Sequence, residues 1–517
     1  MSSSLYGIYN AHRAIMLNQA AMNIVNNNIA NINTPGYSKQ RLELSAQTLV
    51  TDGTETPIMA AQLGLGTAID DISRNRDVYL DAYFRKENTD LSYYKELKDN
   101  CTLVEDITNE LNDTGIGNAL DAFYASAQRL SQNPTDSISR NDFVQKAVDL
   151  NSRFNMTYDR LQRLRTNLVG DVTDSTTLDI SKIKITCDDI NTQLKTIANL
   201  NKTITLSTAQ NSTPNGLLDQ RDKLVDEISQ YLPMVAVNAE GNVVNISIGG
   251  TDLVKGASQV GFLDVVTGTA LDPATVKIVD ENGLDVVANA NSLMTSGKIG
   301  AILDMGGSDV NKFNVSNIVD SLNTLAKEFA REVNRIHRGG QYIDTTLTPA
   351  GLARVTPATS PPDPFDIFVD GSSNPQADYL NLTAGNIAVN QDVIDDPFLI
   401  AAATTSAASA ETGDGYNALL IAQIRNSKLP NLSTSTTESY LSSMVGKMGI
   451  QIKSISDNHE SQNTIVTQVD QRRQSAFGVN LDEELTDLIK FQRAFEASAK
   501  ILNASNEAIQ TIMNMVR

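Results

Sequence analysis

The stretch "NNNIANINTPGYSKQ", residues 26–40, decides how the rest of the chain is read. Asparagine recurs at Asn23, Asn26, Asn27, Asn28, Asn31 and Asn33 although it is a mediocre helix former. The apolar residues around it nevertheless keep a helical period, until Thr34-Pro35-Gly36 ends it. Pro35 disfavours helix at Thr34, and Gly36 supplies a turn. Upstream, Met1, Ile8, Ile15, Met22 and Ile29 repeat every seventh residue, with Ala14, Ala21, Val25 and Ile32 beside them.

The other end of the chain shows the same period. Leu481, Leu488, Phe495, Leu502, Ile509 and Val516 form a second heptad row, with Leu485, Ala499 and Met513 alongside. Two long rows of this kind, one at each terminus, predict helices that pair as a coiled coil. Asn480 is placed to cap the second helix with Glu483 as its capping-box partner, and Asp482, Glu483 and Glu484 suit the positive end of the helix dipole. The asparagines are expected off the main seam. There an uncharged amide can bond to a neighbouring helix without charge repulsion.

Between the termini the pattern is mostly helical: about 76–111, with Tyr94, Leu97, Cys101, Val104 and Leu111 on one face, then from near Asn118 to about "QNP" (Pro134), 139–168, a helix through "DDINTQLKTIANLNKTI", and "LLDQRDKLVDEISQYL" up to Pro233. The period then changes. "MVAVNAEGNVVNISIGG" alternates, and "VKIVDENGLDVV" carries Asn282-Gly283 as a hairpin turn. Helix returns at about 314–337, followed by Pro- and Gly-rich chain over 338–398 with a candidate strand in "FDIFVDG", and by helices over 437–516.

The expected fold class is therefore mainly α with an inserted β domain. Its parts are a terminal coiled-coil domain (1–45 with 480–517), a linker (46–75), a helical domain (76–233 with 300–479) and a small antiparallel β domain (234–299). The β stretch reads as a self-contained insertion.

The chain has 517 residues, Lys+Arg 41 against Asp+Glu 61 and a formal net charge of -20, which argues against a general nucleic-acid binder. Aromatics make up 5% and Trp is absent, so the core must rest on aliphatic residues. Cys101 and Cys187 cannot build a disulfide framework, and Cys101 falls on an apolar helix face. No apolar run reaches membrane-spanning length, and the first residues lack the pattern of a cleavable signal peptide. By these features alone the chain reads as cytoplasmic.

Chemistry is sparse. "GLG" at Gly64 and Gly66 lacks the third glycine of a dinucleotide loop, and "TSGKIG" lacks Ser or Thr after Lys298. His12, His337 and His459 are scattered, and "DNHE" at 457–460 has no second ligand cluster, so it reads as a solvated helix face. No catalytic residue, cofactor or metal site is expected, and the chain does not read as an enzyme.

"NNNIANINTPGYSKQRLEL" resembles the N-terminal signature of the bacterial flagellar axial family of rod, hook and hook-associated proteins. Asn28, Ala30, Asn31, Asn33, Thr34, Pro35, Gly36 and Tyr37 carry it. "FGVNLDEELTDLIKFQRAFEASAKILNASNEAIQTI" resembles the C-terminal signature of the hook-associated branch, apart from Ala476-Phe477, where that branch tends to have serine. "GLLDQRDKLVDEIS", "IAVNQDVIDDPFLIAA" and "EVNRIHRGG" extend the match through the helical middle.

The resemblance implies a structural subunit at the hook-filament junction. It would form a ring-like homo-oligomer beside hook protein and hook-associated protein 3, after export by the flagellar type III apparatus with its chaperone. It overrides the cytoplasmic reading and implies no membrane or nucleic-acid partner. The alternatives are another axial protein, such as hook protein or hook-associated protein 3, and an enzyme-bearing surface protein acting through 338–398.

Overall fold

A computed structural model describes residues 2–46, 67–108, 115–210, 213–239, 242–269, 272–344, 351–354, 366–371, 381–404 and 413–516. Met1, Leu111, the Gly64-Leu65-Gly66 stretch and parts of 338–398 lie outside them.

Helix α1 (Ser2–Ala30) ends in the turn that its sequence dictates. Asn31 N–H donates to Asn27 O at 3.1 Å, Thr34 N–H to Asn31 O at 2.9 Å and Tyr37 N–H to Thr34 O at 3.2 Å. Gly36 takes φ 85°, a left-handed conformation that suits glycine. The chain then enters strand β1 (Gln40–Ala46), which pairs antiparallel with β2 (Thr67–Arg74) from Gln40↔Arg74 to Ala46↔Thr67. A strand thus occupies part of the stretch expected to be linker.

Long helices follow: α2 (Val78–Thr108), α3 (Ile116–Gln132), α4 (Ser137–Val169), the short α5 (Ser175–Asp179), α6 (Lys182–Ala209) and α7 (Asn215–Ile228). Side chains cap the starts of α4 and α6. Asp136 accepts from Ser139 N at 3.0 Å, and Ser181 Oγ accepts from Lys184 N at 3.4 Å. α4 ends at Gly170, whose φ is 78° and where an added Cβ would lie 2.9 Å from Leu178 Cα.

Two antiparallel sheets come next. One has the order β3 (Val235–Ala239), β4 (Val243–Ile248), β5 (Thr251–Lys255) and β6 (Ser258–Gln259); the other has β7 (Phe262–Thr267), β8 (Ala274–Val279) and β9 (Asp285–Val287). Alternation is clear in β8, where Ala274, Val276 and Ile278 point inward. These inward residues do not form a core of their own. Val244, Ile246, Leu263, Val276 and Ile278 belong to one apolar cluster with Leu161 of α4 and with Ile183, Ile190, Leu194 and Ile197 of α6. The expected self-contained unit is therefore fused to the helices through a common interior.

After α8 (Gly297–Gly306) and α9 (Val315–His337), the irregular segment contributes β10 (Gly340–Asp344), β11 (Gly351–Arg354), β12 (Phe368–Asp370), β13 (Ile387–Val389), α10 (Gln391–Asp395) and β14 (Ala403–Thr404). Phe368 of β12 packs into a second core between α3, α4 and α9. There Phe123 meets Phe143 at 5.0 Å, Phe329 at 5.2 Å and Phe368 at 5.8 Å between ring centroids. Most of the buried aromatics lie there, where edge-on and tilted contacts add to burial. The chain finishes with α11 (Tyr416–Gln423), α12 (Thr437–Phe477) and α13 (Leu481–Val516). α12 lies along α2, and α13 runs beside α1.

Candidate assembly site at the root of the paired termini

The face that α1 turns inward comprises Ala11, Asn18, Ala21, Ile24, Val25 and Asn28, all buried. Ile8, Ile15, Met22 and Ile29 flank this face and are half-buried. On α13, Leu488, Phe495, Leu502 and Ile509 are half-buried, Leu481 is 44% exposed, and the side chain of Val516 lies outside the described residues. Small residues line the centre of the pair because they allow close approach of the two backbones. Ile24 and Val25 share this face, and many of the other large apolar side chains are left at its edges. As a result Tyr9 (51%), Met16 (56%), Leu485 (43%), Ile489 (58%), Ile501 (56%) and Met513 (66%) remain exposed. One copy of the chain cannot cover its own terminal helices.

The asparagines are not all off the seam. Asn18 is buried and donates to Ala14 O at 2.8 Å. Asn28 is 1% exposed and joins both ends of the chain. Its Nδ2 donates to Glu484 Oε2 at 3.0 Å and to Gln40 O at 3.0 Å; its Oδ1 accepts from Tyr37 Oη at 2.8 Å and from Gln40 N at 3.0 Å. An amide suits this place because it both donates and accepts.

The rest of the N-terminal motif forms a braced loop around that hub. Asn31 Nδ2 donates to Asn27 O and Oδ1, each at 2.9 Å, and Thr34 Oγ1 donates to Asn31 Oδ1 at 3.2 Å. Ala30, Asn33, Thr34, Pro35 and Gly36 are exposed. The Tyr37 hydroxyl is pushed up to about 12 by burial and then by the negative charges of Asp219 and Glu484.

Lys39 fastens this loop to the elbow between α12 and α13. Its N–H donates to Phe477 O at 3.0 Å, and its ammonium pairs with Glu483 Oε2 and Glu484 Oε1 at 3.0 Å each. Burial works against that charge, but the hydrogen bonds to Glu484 and Glu483 outweigh it and raise the Lys39 pKa. Glu483, expected as a capping-box partner for Asn480, is drawn to Lys39 instead. Asn480 accepts from Asp482 N at 3.0 Å.

Beneath the loop lies an ion-pair network. Arg74 contacts Asp219 at 2.7 Å and Asp222 at 3.0 Å; Arg76 contacts Asp81 at 2.9 Å and Asp222 at 3.4 Å. Arg473 of α12 reaches Asp226 at 2.7 Å and Asp81 at 3.1 Å, and Arg85 reaches Asp226 at 2.7 Å. Arg221 pairs with Asp222 at 3.0 Å. Burial opposes the Asp222 charge, yet Arg221, Arg76 and Arg74 hold its carboxyl below the usual carboxylate range. Arg473 also lies over the Phe84 ring at 4.2 Å. The β1–β2 hairpin, α2, α7 and α12 are thus tied at one place. Sequence reading missed this network, although "RNR" at 74–76 and "DQRD" at 219–222 supply much of it.

The other stretches that carry the resemblance are also brackets. Arg140 is buried and donates to the carbonyls of Pro134 at 2.7 Å, Pro397 at 3.0 Å and Ile400 at 3.0 Å. Burial lowers its pKa to about 10. His337 Nε2 accepts from Ala401 N at 2.9 Å, and Arg338 Nε donates to Asp366 at 2.7 Å. The "DNHE" stretch lies on α12, where Asp457 pairs with Lys453 at 2.5 Å and the pKa of His459 is lowered by burial and then by Lys98. Both cysteines are buried. Burial pushes the Cys101 thiol up to about 12 and raises that of Cys187 as well. Among the described residues no group of three or more His, Cys, Asp or Glu is arranged to hold a metal ion, and no helix is long and apolar enough to cross a membrane.

The arrangement suits mechanical assembly: a paired-helix rod with uncovered apolar edges, fixed at one end by dense polar contacts. Comparison with known proteins agrees. Residues 101–349 match the family described as flagellar hook-associated protein FlgK helical domain, residues 470–515 the flagellar basal body rod FlgEFG protein C-terminal, and residues 8–37 the flagella basal body rod protein. Flagellar hook-associated protein 1 of Bacillus subtilis (strain 168) is 28% identical over 99% of both chains. The Escherichia coli (strain K12) protein of the same name is 25% identical over 98% of this chain and 99% of its own. The solved structure of the flagellar hook junction protein FlgK from Burkholderia pseudomallei shares the fold, with a TM-score of 0.57 at 17% identity, over 76% of this chain and 100% of that one.

Proposed function

Since the chain belongs to the flagellar axial protein family, is similar along its whole length to hook-associated protein 1 and is a structural subunit of the flagellar axis, we propose that it forms the hook-filament junction. In this reading it acts by self-assembly into a ring through its terminal helices and has no catalytic role. The observation that carries this is the row of exposed apolar residues on α1 and α13, from Met16 to Met513, which a single copy leaves in water. Burying each such side chain against a neighbour contributes about 1.5–3 kcal/mol at most, so a ring gains what a monomer forgoes.

The partners on either side are hook protein and hook-associated protein 3. The chain reaches them by type III export with its chaperone. Two free buried thiols suit a chain that is threaded unfolded, because it then carries no crosslink. The terminal pair (1–45 with 480–517) supplies the assembly surface, the helical part (76–233 with 300–479) the wall around it, and 234–299 the outward face.

Electron microscopy of cells lacking the gene tests this. Hooks without filaments are expected, with complementation restoring the filaments. Normal filaments on the mutant would overturn the junction role, and truncated hooks would point to a hook or rod subunit instead.

A further inference from the structure

The chain contains two Asn-Gly pairs, Asn215-Gly216 and Asn282-Gly283, in opposite surroundings. Asn215 is 7% exposed in the first turn of α7, and its Nδ2 donates to Ile72 O at 2.7 Å. Asn282 and Gly283 are exposed at the tip of the β8–β9 hairpin.

At that tip Gly283 has φ 79°, and a Cβ added to it would meet nothing within 4 Å. Its N–H is held by one backbone bond, to Asp280 O at 3.0 Å. The Asp280 carboxylate accepts from Asn282 N and Leu284 N at 2.9 Å each. A hairpin tip opens far more readily than a helix packed into a core. Once the tip opens, the side-chain carbonyl carbon of Asn282 and the unhindered nitrogen of Gly283 can meet.

We propose that Asn282 is a site of spontaneous deamidation in the native protein, while Asn215 is protected by its fold. The Gly283 nitrogen attacks Asn282 Cγ, forming a C–N bond. The C–NH2 bond breaks, and ammonia leaves carrying the proton from the Gly283 amide. Water then opens the resulting five-membered succinimide at either carbonyl, giving aspartate or isoaspartate. Only water is consumed, and nothing is oxidised or reduced. Either product adds a negative charge beside Asp280, Glu281 and Asp285. Isoaspartate also inserts a methylene into the backbone next to the Ile278↔Val287 and Val279↔Asp285 pairing, so the turn bonds to Asp280 cannot all re-form.

The test uses the intact folded chain, held at mildly alkaline pH and growth temperature, sampled over time, digested with trypsin and analysed by tandem mass spectrometry. The expected result is a steady mass gain from amide to acid at Asn282, on the order of tenfold faster or more than at Asn215, as suits a local opening against a protected one. The same chain unfolded in urea serves as the control, in which the two pairs should convert at similar rates. If Asn282 in the native chain converts no faster than Asn215 while both convert in urea, the turn protects the pair and the proposal is overturned.

Discussion

Asn28 and Glu484 stand 456 residues apart in sequence, and the amide of one donates to the buried carboxylate of the other at 3.0 Å. That contact joins the two ends of the chain at the base of the α1–α13 pair. Replacing Asn28 with Ala removes the amide partner of Glu484 Oε2, of the Tyr37 hydroxyl and of the Gln40 backbone at once, leaving Glu484 its pairing with Lys39. Leaving buried groups unmet costs about 1–3 kcal/mol each. The Asn28→Ala chain is expected to show faster hydrogen exchange over residues 24–46 and 480–490, while the core around Phe123 exchanges as before. Unaltered exchange at the root would show that Asn28 does not hold the ends together.

Ile489 is 58% exposed in the single chain. Ile489→Asp should therefore melt like the parent and be exported normally, yet leave bare hooks, because every subunit in a ring would bury an unpaired carboxylate at a cost of several kcal/mol. Circular dichroism, immunoblotting of culture supernatant and microscopy of hook tips make the comparison. A variant that builds filaments would remove this edge of α13 from the assembly surface.

Removing residues 234–299 and joining the flanks with a Gly/Ser linker is expected to destabilise the protein rather than trim it. Ile183, Ile190, Leu194 and Ile197 of α6 would lose the inward residues of the sheets. Each uncovered aliphatic side chain costs about 1.5–3 kcal/mol, and a whole domain is held by only about 5–15 kcal/mol. Aggregation or a much lowered melting temperature is expected. A soluble truncation that melts like the parent would mean that the sheets add nothing to the common core.

The arginines around Asp222 give stability a defined dependence on pH. Its carboxyl pKa is depressed in the folded chain, so its contribution is fully present above the unfolded value of about 3.9 and is lost as pH falls through the lower folded value. Asp222→Asn should be less stable than the parent at neutral pH, by about 3–5 kcal/mol for a broken buried pair. The gap should narrow as pH drops below about 4. Melting curves of both chains across the acid range check this; a gap that stays constant would mean that Asp222 carries no folding-linked charge.

The cysteines should be silent. With the Cys101 thiol pushed up to about 12 and that of Cys187 also raised, neither presents appreciable thiolate at neutral pH. A thiol reagent is expected to label neither in the native chain and both after unfolding. Rapid native labelling would show that this core opens.

Periodicity made the long helices legible, including the stop at Thr34-Pro35-Gly36 and the hairpin at Asn282-Gly283. It was less informative about which faces meet. A heptad count weights large apolar residues and so picks Ile8, Ile15, Met22 and Ile29, whereas close packing of two helices buries Ala11, Ala21 and Val25 between them. Asn28 was misplaced for a related reason. Its burial is tolerable only because Glu484, Tyr37 and Gln40 arrive from elsewhere, and a local pattern holds no trace of them. Strand β2 has the same character, since Thr67–Arg74 becomes a strand by pairing with β1 across a separate stretch. The Arg74–Asp219–Asp222 network is likewise assembled by tertiary folding from pieces that look like ordinary surface charge.

The polar contacts at the root also act as the fulcrum of a lever. Helix α13 has 36 residues, so at 1.5 Å per residue its arm is about 54 Å, and each degree of play at the base moves the far end by about 1 Å. The stiffness of the bonds among Lys39, Glu483, Glu484 and Phe477 therefore governs how accurately distant tips can be aimed. A substitution at the root that barely shifts the melting temperature could still spoil alignment tens of ångströms away.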